Sequence, residues 1–301
     1  MDEIITVSSI TEYDEMVGAA TLHPLVNVVD FSRLPPMRNI SSRRLFGYYA
    51  IYLKGRKYSN LHYGLNTYNY EEGALVFIAP GQVAGTNDDG EKHQMTTRVL
   101  MFHPDLLKGT YLQPAMKQYT YFSYNANEAL LPTEQERKII IRCFESIENE
   151  LANPSEFSMR IVIDYIKLVL DYCASFYNRQ FSELQIQSND TLAKFEKLLD
   201  ECLATAARPN GNIPTVAYFA SKLCLSANYF SDIVRNATGM SAQKIIHQRM
   251  LEAAKERLAT PGRRINEVAS EMGFQQPQNF SNWFKKMEGC TPSQYQKGIT
   301  D

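Results

Sequence analysis

The sequence predicts an α+β chain: a β-rich N-terminal part, a pair of helices, and an all-helical C-terminal part in which one motif is used twice. Three observations carry this. Up to about residue 130 the apolar residues come in short runs divided by turn residues, from Thr133 the apolar period becomes helical, and the pattern of residues 216–239 returns at 265–289. The chain has 301 residues, and at roughly 150 residues per domain two domains are expected.

In the first part, Phe46 to Leu53, Tyr58 to Tyr63 and Ala74 to Ala79 are rich in aromatic and β-branched residues, the types that fit a pleated, half-buried surface. Lys54-Gly55, Glu72-Gly73, Pro80-Gly81 and Asn87-Asp88-Asp89-Gly90 supply turns between them, so residues 1–130 read as a small barrel or sandwich. Thr133 and Glu136 then form a capping box. Ile140, Cys143, Ile147 and Leu151 follow on one helical face, which should stop near Asn153-Pro154. A second helix is expected from about Ser158 to Tyr177. It is apolar on more than one side and therefore needs two covering surfaces, the second being either this chain or another copy of it. The polar stretch 182–190 reads as a linker, dividing the chain into domains 1–181 and 191–301.

The repeat carries the functional reading. Val216, Phe219, Ala220 and Leu223 lie at i, i+3, i+4 and i+7, as do Ile265, Val268, Ala269 and Met272. A turn follows each, at Cys224-Leu225-Ser226 and at Gly273-Phe274-Gln275. Second helices follow with stripes Phe230, Ile233, Val234, Ala237 and Phe280, Trp283, Phe284, Met287, and both end in a glycine, Gly239 or Gly289. Helix, tight turn and helix is the helix-turn-helix unit, whose second helix enters the major groove. The outward residues suit that task. Asn228, Ser231, Asp232, Gln278, Asn279 and Asn282 are candidates for reading base edges, and Ser226, Arg235, Lys285 and Lys286 for holding phosphates. A polar face on one helix would ordinarily mean only solvation, but solvation gives no reason for the turn and stripe to recur. Ser241 to Ala259 reads as a single joining helix, with Ile246, Met250, Leu251, Ala254 and Leu258 on its buried side.

Residues from about 192 to 298 resemble the DNA-binding domain of the AraC/XylS family of transcription regulators. The resemblance rests on the run from Ile265 to Phe274, then Asn279 to Lys286, then Gly289 to Tyr295; Ser226, Tyr229-Phe230-Ser231 and Thr238 to Ser241 match in the first unit. Two places depart from the pattern: Asp232 stands where a basic or polar residue is common, and Val234-Arg235-Asn236 replaces Phe-Lys-Lys. More weakly, Glu72 to Gly81 and Leu100 to Leu107 resemble the family's cupin-like sensor barrel. The resemblance implies that residues 1–130 form such a barrel and that, with the helices at about 133–178, it binds a small effector and dimerises the protein. The interface would lie on the helices or on the barrel, and the partners would be double-stranded DNA and the transcription machinery.

Charge follows the same division. Residues 1–189 carry 17 Lys+Arg against 22 Asp+Glu, whereas residues 190–301 carry 14 against 11, so only the last third leans towards a polyanion. Five widely spaced cysteines without a Cys-x-x-Cys pair argue against a disulfide framework and against a zinc site. His62 has no His-x-His partner, so no metal, cofactor or enzymatic activity is expected. The alternatives are a metal-dependent cupin enzyme with an appended DNA-binding domain, and a regulator whose first domain only dimerises. Tyrosines crowd one β-region, and Tyr48, Tyr52, His62 and Tyr63 are candidate effector contacts, against the simpler reading that tyrosine suits strands. The acidic first residues and the lack of a long apolar run point to the cytoplasm and to no membrane span.

Overall fold

The computed structural model describes residues 4–38, 43–55, 61–63, 66–68, 72–86, 90–125, 128–183, 185–204, 213–260 and 262–300, without the side chains of 61–63, 66–68, 86, 185–189, 299 and 300. Tyr58, Tyr70 and the Asn87–Asp89 turn lie outside these. The chain divides into two compact units, Met1–Gln180 and Phe181–Asp301.

The N-terminal unit opens with strand β1 (Ile4–Val7) and helix α1 (Ile10–Val17), followed by strands β2 (Val26–Asp30), β3 (Met37–Arg38), β4 (Arg43–Phe46), β5 (Tyr49–Leu53), β6 (Leu61–Tyr63), β7 (Asn66–Tyr68), β8 (Leu75–Ile78), β9 (Val83–Thr86), β10 (Lys92–His93) and β11 (Arg98–Phe102). Among the described residues they form a four-stranded sheet, β2-β11-β5-β8, a five-stranded sheet, β1-β4-β9-β6-β7, and a small β10-β3 ribbon. The two larger sheets share one core. Val29, Ala50, Tyr52, Val76 and Val99 come from the first, Val7, Phe46 and Ala84 from the second, and Ile10, Tyr13 and Val17 from α1. Helix α1 was not anticipated in a β-rich region, although Ser9 and Glu12 form a full capping box at its start.

The run Phe46 to Leu53 is not one strand. It breaks at Gly47 and passes from one sheet to the other, and a Cβ at Gly47 would meet the carbonyl oxygen of Ser8 at 2.6 Å, so only glycine fits there. The four-stranded sheet is covered on its other face as well. Phe77 packs on Tyr121, Phe122 and Tyr177, and Tyr49 on Phe102 and Phe122. Burial on both faces explains why β8 and, after Arg98, β11 read as continuous apolar runs rather than alternating ones.

Two short helical turns, α2 (Pro104–Leu107) and α3 (Leu112–Ala115), lead to helices α4 (Glu134–Ala152) and α5 (Ser158–Glu183). Helix α4 starts on the expected Thr133/Glu136 capping box, buries Ile140, Cys143, Ile147 and Leu151, and ends at Asn153. Helix α5 runs six residues beyond Tyr177. Its excess of apolar residues is absorbed largely within the chain: Val162, Ile166, Val169, Leu170 and Cys173 are fully buried. Tyr121 donates to the Leu170 carbonyl at 2.9 Å, Tyr119 to Asp171 at 2.8 Å, and Arg179 to Glu136 at 2.7 Å. Leu168 and Phe157 stay exposed. The expected linker 182–190 is helical on both sides of residue 184.

In the C-terminal unit, α6 (Gln185–Ala204) precedes α7 (Val216–Lys222), α8 (Ala227–Thr238), α9 (Ala242–Ala259), α10 (Ile265–Glu271), α11 (Pro277–Glu288) and α12 (Pro292–Thr300). A single core runs through both repeats, including Phe195 of α6, Phe219, Phe230, Met250, Val268, Phe280 and Phe284. The joining helix α9 touches α7 and α8 of the first repeat and α10 and α11 of the second. Its 18 residues span about 27 Å at ~1.5 Å each. Ala237, placed on the first buried stripe by its spacing, is exposed instead. Its short side chain in the last turn of α8 does not reach the core that Phe230, Ile233 and Val234 fill. No helix among the described residues is long and apolar enough to cross a membrane.

Candidate nucleic-acid interface

The two helix-turn-helix copies repeat in backbone detail. After α7, Leu225 N–H donates to the Ala220 carbonyl at 2.9 Å, and after α10, Phe274 N–H donates to Ala269 at 3.0 Å. Each closure needs one left-handed residue, Cys224 at φ 58° and Gly273 at φ 81°. The second helices then terminate alike. Gly239 N–H reaches the Arg235 carbonyl and Gly289 N–H the Lys285 carbonyl, both glycines being left-handed. The copies differ by one residue in the turn, so first helices correspond at an offset of 49 and second helices at 50.

On α8, Ser226 is the N-cap, its hydroxyl accepting from Tyr229 N–H at 3.2 Å. Asn228 is exposed. Ser231 turns its hydroxyl back to the Ala227 carbonyl at 2.7 Å, and Arg235 donates to Asp232 at 3.3 Å across one turn. Tyr229 is buried, with its ring edge-on to Phe181 at 5.2 Å.

On α11 the same face is open. Gln278, Asn279, Asn282, Lys285 and Lys286 are all exposed. Asn279 occupies the position that Tyr229 buries on α8. Behind them Trp283 packs against Phe274, Phe280 and His247. Burial, and to a lesser extent the nearby Lys286 charge, holds the His247 pKa below its ordinary value. Glu288, the acidic residue of this helix, is paired with Lys255 of α9 at 2.5 Å, which leaves Lys285 and Lys286 uncompensated along α11. Two polar-faced helices fixed to one core by a stiff spacer, one carrying exposed amides beside two lysines, can lie in successive turns of a major groove.

A family model described as a helix-turn-helix domain matches residues 219–298. Residues 219–298 form an AraC-type helix-turn-helix domain. Over 85 residues, 28% of this chain and 31% of the relative, the chain is 32% identical to the raffinose operon transcriptional regulatory protein RafR of Pediococcus pentosaceus. Over 80 residues, 27% of this chain and 29% of the relative, it is 34% identical to the Msm operon regulatory protein of Streptococcus mutans. These matches thus span about a third of each relative's length. Among solved structures, the C-terminal domain of the two-component response regulator yesN from Fusobacterium nucleatum is 26% identical, with coverage of 36% of this chain and 98% of that one and a TM-score of 0.32.

Outside the AraC-type domain, the structure places two of the effector candidates in the N-terminal core. Tyr48 is fully buried and Tyr52 nearly so. Tyr52 donates to the Tyr13 hydroxyl at 3.1 Å, while the Tyr48 hydroxyl has no hydrogen-bond partner among the described residues. Burial pushes the Tyr48 and Tyr52 pKa values upward, so both hydroxyls stay protonated. Arg44 is buried within electrostatic reach of all three tyrosines, and Lys54 sets its ammonium 4.9 Å from the Tyr52 ring centre, where burial lowers its pKa to about 8. Sequence reasoning missed Tyr13, Arg44 and Lys54. For Arg44 and Lys54 the signal was the alternation with Phe46, Tyr48, Ala50 and Tyr52, which line one core across the break at Gly47; Tyr13, on α1, gave no such signal. The side chains of His62 and Tyr63 lie outside the described residues. Their backbones pair with Gly85 and Ala84. Among the described residues no group of three or more His, Cys, Asp or Glu is placed to hold a metal ion.

Proposed function

We propose that the chain is a sequence-specific transcription regulator whose C-terminal unit grips one face of double-stranded DNA with α8 and α11. In this reading it acts as a homodimer, and its N-terminal, cupin-like unit senses a small molecule. The observation that carries the DNA reading is the repeat itself: one helix-turn-helix backbone built twice on a single core, with the amides of Gln278, Asn279 and Asn282 exposed and unengaged by other described side chains on α11. Asn and Gln can make bidentate contacts to adenine, and Lys285 and Lys286 suit phosphates. The effector reading rests on the Tyr13, Tyr48 and Tyr52 cluster, because the buried, unpartnered Tyr48 hydroxyl is a group that a bound molecule can satisfy. The exposed Leu168 on α5 and Phe157 just before it favour the helical pair as the dimer surface.

Substitution in the full chain separates the roles. Gln278→Ala or Asn282→Ala should cost about 1–3 kcal/mol at particular base positions and little elsewhere. Lys285→Ala or Lys286→Ala should weaken all duplexes alike and flatten the salt dependence. Equal, sequence-independent losses from all four changes would overturn the assignment of base readers.

A further inference from the structure

The two reading helices carry opposite electrostatic arrangements at one shared position. At the offset of 50, Asp232 of α8 stands where α11 has Asn282. The Asp232 side chain is 16% exposed and accepts from Arg235 at 3.3 Å, and Arg235 itself is 62% exposed. A carboxylate on a face turned towards DNA repels phosphates, and each cation it neutralises is one fewer phosphate contact and one fewer counterion released. Ser231, beside it, has already committed its hydroxyl to the Ala227 carbonyl. Nothing of this kind restrains α11, where the helix's own carboxylate, Glu288, is engaged with Lys255 instead of Lys285 or Lys286.

We propose that Asp232 is a specificity-determining restraint: it holds Arg235 along α8, weakens the grip of the first helix-turn-helix on the backbone, and leaves base discrimination to α11. The proposal rests on the DNA-binding reading above. Asp232 thereby makes the whole complex depend on a correct sequence under α11, since α8 alone contributes too little attraction to hold the protein on an arbitrary duplex. The contrary role for the same side chain is direct reading, in which the carboxylate accepts a hydrogen bond from a cytosine amino group. The two roles give opposite results on substitution.

The test compares the full-length wild type with Asp232→Asn, Arg235→Gln and the double variant. Fluorescence anisotropy on a duplex selected by the wild type, and on duplexes altered in either half, is followed across a salt titration. Asp232→Asn is close in shape and restores the residue type found on α11. It should raise affinity roughly 3- to 10-fold at low salt, steepen the log–log salt slope by about 0.9 and leave the preference under α11 unchanged. Arg235→Gln combined with Asp232→Asn should abolish the gain, because the arginine grips phosphate more fully once released. A loss of affinity in Asp232→Asn confined to duplexes carrying one particular cytosine would overturn the proposal, as would an unchanged salt slope. A wild type that binds no duplex at low salt would instead overturn the DNA-binding reading, and this proposal with it.

Discussion

The two helix-turn-helix copies share a backbone plan but not a means of holding it. In the second copy the turn is closed by Gly273, which adopts its left-handed conformation without strain, and in the first by Cys224, which does not. The first copy compensates with a side-chain cap, Ser226 to Tyr229 N–H, whereas the second begins α11 at Gln276 with no side-chain cap and relies on Pro277 at the first helical position. The reading faces diverge in the same way. On α8 Ser231 bonds back to the helix, Asp232 engages Arg235 and Tyr229 packs on Phe181, whereas on α11 Gln278, Asn279 and Asn282 are presented outward. A repeated scaffold therefore keeps one backbone plan for both readers while each copy is tuned separately, in stability and in chemistry.

The largest expected effect tests whether the copies are one folding unit. Phe230 and Phe280 are both fully buried in the shared core, and Phe230→Ala or Phe280→Ala should each cost about 3–5 kcal/mol. The chain has a single tryptophan, Trp283, in the second copy. Its fluorescence should follow the loss in both variants, in step with circular dichroism. A Phe230→Ala protein whose Trp283 transition stays in place would show that the copies melt independently.

The contrasts at the turns and caps sharpen the comparison with smaller effects. Gly273→Ala should destabilise by about 1–2 kcal/mol, because its φ of 81° is costly for any side chain. Ser226→Ala should cost about 1 kcal/mol and Gln276→Ala close to nothing, since only the serine caps its helix. Cys224→Gly should stabilise by about 0.5–1 kcal/mol, offset in part by the entropy of a glycine in the unfolded chain. Urea titrations of the four variants check these values, and equal costs at both caps would refute the contrast. The smallest effect is a pH dependence at the joining helix α9, where His247 meets Trp283 of the second copy. The folded pKa of His247 is lowered below its ordinary 6.5 by burial first and then by Lys286. Below pH 6.5 the unfolded chain therefore binds more protons, and stability falls with acid until the pH drops beneath the folded value. His247→Gln should flatten that decline.

The repeat was legible because buried stripes obey a period: Phe219, Phe230, Val268 and Phe280 announce themselves at 3- and 4-residue spacing and all lie in the core. The capping box at Thr133 and the left-handed glycines at 239 and 289 were legible for the same reason, local chemistry with one geometric solution. What stayed hidden depends on contacts between distant residues. Tyr229 looks like an outward neighbour of Asn228 until Phe181 arrives from 48 positions earlier to bury it. Spacing placed Asp232 and Arg235 on one face but could not say that they pair. The break at Gly47 comes from the approach of Ser8, 39 residues away, and the helicity of 182–190 could not be read from polarity alone.

Selection of preferred duplexes from a random pool by the full-length protein tests the central claim most directly. Two half-sites centred roughly 10–11 base pairs apart are predicted, the one beneath α11 sharply defined and the one beneath α8 tolerant of substitution. Recovery of no common sequence at low salt, or of a sharply defined half-site beneath α8 alone, would contradict the account.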